Sequence, residues 1–378
     1  MSPRARAAGA ATFILLLVVP VAWMSFFLVA AGVHESLAYD FREAYLPAAE
    51  AVRDGRSPYP EIDDPRLAAE TAYVYPPLLA YASIPFTVLS ENAASVAAAI
   101  VAISVLLGTL LLIGLRDWRC YGAVLLWAPS LNAIHTASSS LLLALAAALA
   151  WRYRSAWPLA AAAGIGVALK LVIWPLLAWM LFTRRLRAAV GAVVVALSLT
   201  LITWGALGFE DIARYPELLR KLAELEAEES YSLIGVFAAG GLDGTAARVL
   251  SGAIALALLA GCAWFARHGD DLRSFTSALA TVLAATPILW QHYLVLLLVP
   301  LAVARPRFSA IWLLPVLVWL APRGDNGSGI QTLLPLLVAA ALVAFVLNVS
   351  RPGGPGDIGV KRSRSRAKRT ASGISAAT

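Results

Sequence analysis

Charged residues are the first scarcity in this chain. Only 14% of its 378 residues are Asp, Glu, Lys or Arg, while 60% are hydrophobic. Soluble domains run at about 25% charged and about 45–50% apolar. The deficit excludes an ordinary soluble protein and predicts an all-α polytopic membrane protein. Apolar runs recur from Ala8 to Val349 and leave no room for a separate soluble domain. Cysteine is almost absent. Cys120 and Cys262 stand alone, without CxxC partners, which excludes a thiolate zinc or redox framework. There is no Gly-rich phosphate loop, no HExxH and no DxD, so no metal, no cofactor and no nucleotide-sugar site is expected. Net positive charge is also missing from the body of the chain. Of the formal +7, the segment after Ser350 supplies +6, from seven Lys/Arg against one Asp. The basic pI therefore describes a tail and gives no reason to expect a nucleic-acid partner.

The apolar runs set the architecture. Ala8–Val33 has 26 residues, longer than a signal-peptide core and enough to span about 30 Å of hydrocarbon, so it reads as a retained first helix. Arg4 and Arg6 precede it, and KRSRSRAKR (361–369) follows the last run, 330–349. The positive-inside rule puts both ends in the cytoplasm and requires an even number of crossings. In the second half, 188–208, 245–266, 274–290, 293–304, 308–321 and 330–349 read as spans. The basic turns TRRLR (183–187), RHGDDLR (267–273) and ARPR (304–307) lie inside, and 209–231 and 323–329 lie outside.

The middle admits two readings. One takes 78–89, 93–115, 121–134, 135–151 and 157–181 as five crossings, which puts Arg116, Arg119, Arg152 and Arg154 outside and Lys170 near mid-bilayer. The other takes 78–115 as one broken crossing, followed by two hairpins with tips near Asn132–Ser140 and near Lys170. That reading puts every Arg-bearing turn inside, at the cost of helices only about 20–23 Å long. Charge placement favours the hairpins. Both readings total about twelve spans, in one transmembrane domain over 1–350 with a disordered, basic cytoplasmic tail over 351–378 that would be drawn to anionic membrane lipid.

Between the first two runs lies His34–Pro77, the longest polar stretch before the tail, with nine acidic residues and four arginines. Phe41, Tyr45, Ala48 and Val52 fall at helical spacing there. They predict an interfacial helix, kinked or restarted at Pro47 and closed by Gly55. Pro216–Glu229 predicts a second such helix, with Leu218, Leu222 and Leu225 on one face.

A few polar residues stand out against this background. Asp40, just beyond the first helix, is followed by Glu43 at capping-box spacing, and spacing alone favours a helix cap over catalysis. The two roles are compatible. Lys170, in GIGVALKLVIWP, is an ionisable residue deep in an apolar run. Such residues pair or face a wet cavity, and a lipid phosphate is the natural partner of an ammonium group. Trp290 and Gln291 precede His292 at a helix end, where an anchoring Trp and a solvated His are equally good readings. His135, with Asn132 and Ser138–Ser140, forms a polar cluster that reads first as helix packing.

Three ordered segments resemble glycosyltransferase family 87. They are DFREAYLPAAEAVRDGRSPY (Asp40–Tyr59) with YVYPPLL (Tyr73–Leu79), AAGIGVALKLVIWPLL (162–177), and ATPILWQHYLVLLLVPL (285–301). The resemblance implies a GT-C-type membrane mannosyltransferase of the actinobacterial kind, which uses polyprenyl-phosphate-mannose and inverts the anomeric centre. It maps a general base onto Asp40 and places Lys170 and His292 near the donor phosphate. Arg42, Tyr45, Tyr75, His135, Trp290 and Gln291 become candidate substrate contacts. The partners it implies are a polyprenyl-phosphate-linked sugar donor and a lipid-anchored glycan acceptor at the outer face of the plasma membrane. The chain departs from the family pattern at Thr136-Ala137-Ser138-Ser139, at Gln291 and at Ser230, departures that bear on acceptor and sugar more than on reaction type. Transfer of another polyprenyl-linked sugar such as arabinofuranose, or lipid transport without catalysis, are the alternatives.

Overall fold

A computed structural model describes residues 3–227, 230–321 and 329–349. Among the described residues the secondary structure is helical throughout, with no strand. The expected tail over 351–378, and most of the expected outer turn 323–329, lie outside the described residues. The described residues up to Val346 form one compact unit.

Among the described residues four helices are long and apolar enough to cross a membrane: Arg6–Val33, Glu91–Ile113, Leu186–Ala206 and Gly244–Arg267. Their ends follow local chemistry. Gly114 closes the second with φ 89°, a left-handed conformation that costs glycine nothing. Asp243 opens the fourth by accepting from the amides of Thr245 and Ala246.

The first helix carries a π-helical turn at Ile14–Val18, and there it meets Gly122 on helix Trp118–Leu126. A Cβ on Gly122 would lie 1.5 Å from the Leu16 carbonyl oxygen, so this backbone contact exists only because residue 122 is glycine. Helices Ala156–Leu169 and Leu186–Ala206 approach similarly at Gly164, where a Cβ would stand 2.6 Å from the Ala192 oxygen.

The remaining apolar segments are short or broken. Ala128–His135 and Ser140–Arg152 are bent by 116° across a four-residue break. Ala156–Leu169 ends at Lys170, whose backbone is extended (φ −158°, ψ 114°), and the chain then runs through a 3₁₀ turn into Pro175–Phe182. Asp271–Ala285 stops before Pro287 and resumes as a 3₁₀ run over Gln291–Leu297. Each half is too short to span about 30 Å at about 1.5 Å per residue.

The basic turns fix how these segments return. Asp271 accepts from both guanidinium nitrogens of Arg185 at 2.7 and 3.1 Å, from Trp179 Nε1 at 2.9 Å, and from Arg154. Asp117 pairs with Arg119 at 2.8 Å and accepts from the Phe308 amide at 2.9 Å. Arg154 therefore sits at the same end of the bundle as the 183–187 and 267–273 turns, and Arg119 at the end of the 304–307 turn. The hairpin reading requires this arrangement, whereas five full crossings would set Arg154 at the opposite end.

The two polar segments knit into one cover. In the first, residues 39–53 are helical, with a π turn over Phe41–Tyr45 leading into Leu46–Arg53; Phe41, Tyr45, Ala48 and Val52 are all buried, and Gly55 follows at φ 72°. The expected helix is present. In the second, the amphipathic helix is Tyr215–Glu226, but its buried stripe is Leu218, Leu222 and Glu226, while Leu225 is exposed. The strict four-residue step, 218 to 222 to 226, turns the acid inward and leaves Leu225 outside. Tyr59 stacks on Trp204 at 5.1 Å and 10°, its hydroxyl donates to the Tyr75 carbonyl, and the Tyr215 hydroxyl donates to the Val74 carbonyl. Arg214 pairs with Glu61, and Ser57 bonds Asp211.

Candidate active site

All three breaks in the apolar helices end at one cavity of about 840 Å³ beneath this cover. Asn132 and Thr136 come from the first break, Lys170 from the second, and Thr286, Pro287, Ile288, Trp290, His292 and Tyr293 line it from the third. The first polar segment adds Tyr39, Asp40, Glu70 and Tyr75, and the amphipathic helix adds Leu219, Leu222 and Glu226. A polar site inside an apolar bundle is tolerated where irregular backbone lines a cavity instead of lipid.

Asp40 occupies the N-cap position of the π turn but its carboxylate caps no amide. The helix-cap reading is therefore not realised. Glu43 turns to Arg42 instead, 3.9 Å away. The Asp40 carboxylate takes its hydrogen bond from Thr136, and the Phe41 amide donates to the Thr136 carbonyl at 3.3 Å. A residue 96 positions later thus holds the acid, which helix-cap spacing cannot reveal. By surface area Asp40 is only half-buried, yet protein atoms surround it, because the surface it exposes faces the cavity and not bulk water. Burial pushes its carboxyl up to about 7. The Lys170 ammonium pulls it back, the Glu70 charge adds to the rise, and the Thr136 bond opposes it.

Lys170 is held between two rings, with Nζ 4.5 Å from the centroid of Tyr75 and 4.5 Å from that of Tyr293. The extended backbone at the helix break projects it toward the cavity instead of along a continuing helix. Asp40 and Glu226 both act on it electrostatically. No ion pair within 4.0 Å joins Lys170 to Asp40 among the described residues, so the ammonium is near the acid without being quenched by it. His292 is buried, stacks on Tyr293 at 4.9 Å, and bonds Asn132 Oδ1 through Nδ1 at 3.2 Å. An amide oxygen can only accept, so Nδ1 carries hydrogen in this pair and Nε2 is left for a ligand.

Five of the nine candidates thus line one cavity: Asp40, Tyr75, Lys170, Trp290 and His292. The other four stand behind its wall. Tyr45 packs edge-on against Tyr75 at 5.1 Å, and Gln291 donates to the Tyr231 hydroxyl at 2.9 Å. Arg42 pairs with Glu91 at 2.5 Å and donates to the Glu35 carbonyl at 3.0 Å. His135 lies 5.3 Å from Phe27 and 3.5 Å from the Ser36 hydroxyl. Reading the sequence missed Glu226, Glu70, Thr136 and Tyr293 as cavity residues. Glu226 had a signal in the four-residue step after Leu218 and Leu222. The others reach the cavity only through tertiary packing.

One flank of the cavity is apolar and open. Leu171, Trp174, Leu197, Ile212 and Leu219 line it, and the same five side chains are among the exposed large hydrophobics of the bundle. An acidic and cationic centre with an apolar side opening accepts a ligand that is polar at one end and greasy at the other. Among the described residues no group of three or more His, Cys, Asp or Glu is arranged to hold a metal.

A family model described as Glycosyltransferase family 87 matches residues 73–290, more than half of the chain. The match contains Tyr75, Lys170, Glu226 and Trp290 and leaves Asp40 and His292 outside. No curated protein and no solved structure matches the chain.

Proposed function

This chain belongs to glycosyltransferase family 87, and from that premise we propose that it transfers mannose from polyprenyl-phosphate-mannose to a lipid-anchored glycan at the outer face of the plasma membrane. Its membrane character and glycosyltransferase activity follow from the family and the apolar helices. The finer reading rests chiefly on one observation: Asp40 and Lys170 line the same cavity, and that cavity has an apolar flank. The arginine-bearing turns are cytoplasmic on this reading. The chain then has about twelve membrane segments, several of them half-length hairpin arms that do not cross, with both termini inside and the cavity outside.

The chemistry needs few groups. Asp40 takes the proton from an acceptor hydroxyl as the oxygen attacks the anomeric carbon. The new C–O bond forms on the face opposite the breaking bond to phosphate, so the configuration inverts. The phosphate leaves with the bonding pair, and Lys170, fixed between Tyr75 and Tyr293, stabilises the charge that grows on it. The prenyl chain passes out along Leu171, Trp174 and Leu197. His292 Nε2, an acceptor because Nδ1 carries the hydrogen, is available to a hydroxyl beside the phosphate. Arg42, Tyr45, His135 and Gln291 hold the groups in front of them in place instead of touching substrate.

Purified protein in lipid, given radiolabelled polyprenyl-phosphate-mannose and a mannosylated glycolipid, should form a labelled glycoside. Polyprenyl-phosphate-arabinofuranose should yield none. Asp40→Asn should lower transfer by about 10²–10⁴-fold, the usual worth of general-base catalysis, with expression unchanged. Near-normal turnover by that variant removes Asp40 from the mechanism. Transfer only from the arabinofuranosyl donor replaces the sugar but keeps the site.

A further inference from the structure

We infer that the ring of Tyr39 is the platform on which the acceptor's terminal sugar, a neutral pyranose, stacks while one of its hydroxyls meets Asp40. This assignment rests on the reading of the cavity as a site of transfer from a lipid-linked sugar, and it names the part of the wall that holds the acceptor.

Tyr39 breaks the pattern of its surroundings. Among the described residues the cavity wall carries six exposed large hydrophobic side chains. Five make up the apolar flank. The sixth is Tyr39, 36% exposed, on the first polar segment beside Asp40. The other tyrosines of the wall are engaged: Tyr75 with Tyr45 and Lys170, Tyr293 with His292 and Lys170, and Tyr215 with Tyr59 and Trp204. The Tyr39 hydroxyl makes no hydrogen bond, and its ring touches no other ring, among the described residues. Trp174 and Trp290 lack a ring neighbour too, but Trp174 belongs to the flank and Trp290 to the break that carries Tyr293 beside Lys170. The backbone is strained at the same place. Ala38 is fully buried and left-handed, with φ 57°, and its carbonyl accepts from the Arg42 amide at 2.8 Å. An alanine thus opens the helix where Ser, Asp or Gly is the ordinary choice, in a conformation that disfavours a side chain. Such strain persists where the surroundings impose it, and here it sets Tyr39 and Asp40 side by side on the cavity wall.

The charges select what binds there. Those that act on Tyr39 are Glu43, Glu70 and Asp40, all negative. Lys170 sits elsewhere, between Tyr75 and Tyr293. A phosphate is therefore drawn to Lys170 and repelled from Tyr39, which leaves the Tyr39 end to an uncharged ligand. A pyranose carries hydroxyls round its rim and C–H groups on its faces. Its C–H face suits the negative face of an aromatic ring, and stacking leaves the rim hydroxyls free to donate to a carboxylate. Tyrosine offers this area rigidly, with only two side-chain torsions to fix. Because residue 39 adjoins residue 40, a sugar lying on the ring presents its rim to the base.

The test measures transfer from polyprenyl-phosphate-mannose to octyl mannoside, together with binding of the donor alone, for the wild-type protein, Tyr39→Leu, Tyr39→Phe and Tyr39→Trp. Leucine keeps the apolar character but removes the flat face, and it should raise the KM for octyl mannoside about tenfold. The Kd for the donor should stay within about twofold. Phenylalanine and tryptophan restore a face and should bring the acceptor KM back toward the wild-type value. Tyr39→Met supplies the same comparison if the leucine variant does not fold. A tyrosine that only anchors the protein at the membrane surface, the common role of an exposed ring at a helix end, would leave the acceptor KM unmoved or change donor and acceptor together. The assignment is overturned if Tyr39→Leu keeps the wild-type acceptor KM, if Tyr39→Phe is impaired as much as Tyr39→Leu, or if donor binding weakens in step with the acceptor. Failure of the wild type to use any lipid-linked sugar is a different result, and it overturns the transfer reading itself and this assignment with it.

Discussion

At the scale of single residues, the account depends on an acid kept apart from bulk water. A carboxylate in solution titrates near about 4 and is a weak base for a hydroxyl. Burial against the cavity wall pushes Asp40 up to about 7, against the pull of Lys170 and the Thr136 hydrogen bond. The base form is the ionised one, so activity is gained as pH rises. The kcat/KM should fall tenfold per pH unit below about 7 and level off above it. A profile flat down to pH 5 would show an unperturbed acid or a different base. The same shift has a thermodynamic sign. Between about pH 4 and 7 the folded protein keeps a proton that the unfolded chain releases, so this group makes stability fall as pH rises through that window.

Lys170 was legible because an ammonium group deep in an apolar run has few dull explanations, whereas Asp40 read by spacing as a helix cap and was singled out only by the family resemblance. What surrounds them was not. The Asp40–Thr136 bond joins residues far apart in sequence, and the Tyr75–Lys170–Tyr293 stack joins three separate segments. No periodicity encodes such meetings. Glu226 marks the finer failure. Leu225 and Glu226 are neighbours on a 3.6-residue helix, and a shift of one position in the buried stripe exchanges a leucine for a carboxyl group that lines the cavity.

At the scale of elements, the bundle relies on backbone contacts made possible by small residues, since lipid offers little hydrophobic drive between helices. Gly122 against the π turn at Leu16 is the tightest of these. Gly122→Ala places a methyl group inside the van der Waals radius of a backbone carbonyl, which cannot rotate away. It should cost about 1–3 kcal/mol, the usual toll of overpacking, and lower the melting temperature of the purified protein. Gly108→Ala is the control, since nothing stands within 4 Å of its added Cβ. Equal melting temperatures for the two variants would mean that the first helix does not dock there. Long helices such as Gly244–Arg267 matched expectation to within a residue, because length, apolarity and an Asp cap all agree on them. The breaks at 136–139, 170 and 286–290 were harder. A re-entrant hairpin and a pair of crossings share the same apolar composition, and only the pairing of Arg154 with Asp271 separates them.

At the scale of the whole molecule, that ion pair carries a topological prediction. Single cysteines at Ser155 and His268 should be protected from a membrane-impermeant maleimide on intact cells, and those at Asp63 and Glu210 should be labelled. Cys120 and Cys262 are buried and do not compete. Labelling of Ser155→Cys from outside would separate two turns that the structure holds together. On the proposed topology the polar segments meet over one outer cavity, and the cation-rich turns meet at the cytoplasmic end. The greasy flank between helix Leu186–Ala206 and the Lys170 break is then the entrance for a prenyl chain.

The most direct measurement is a structure of the protein with polyprenyl-phosphate-mannose bound to Asp40→Asn, which should hold the donor without consuming it. The account predicts a phosphate oxygen at about 2.7–2.9 Å from Lys170 Nζ, the usual charge-assisted distance. It also predicts the prenyl chain along Leu171 and Leu197, and the residue-40 side chain facing the anomeric carbon from the side away from phosphate. A donor seated with its phosphate away from Lys170, or with packed side chains between residue 40 and the sugar, would contradict it.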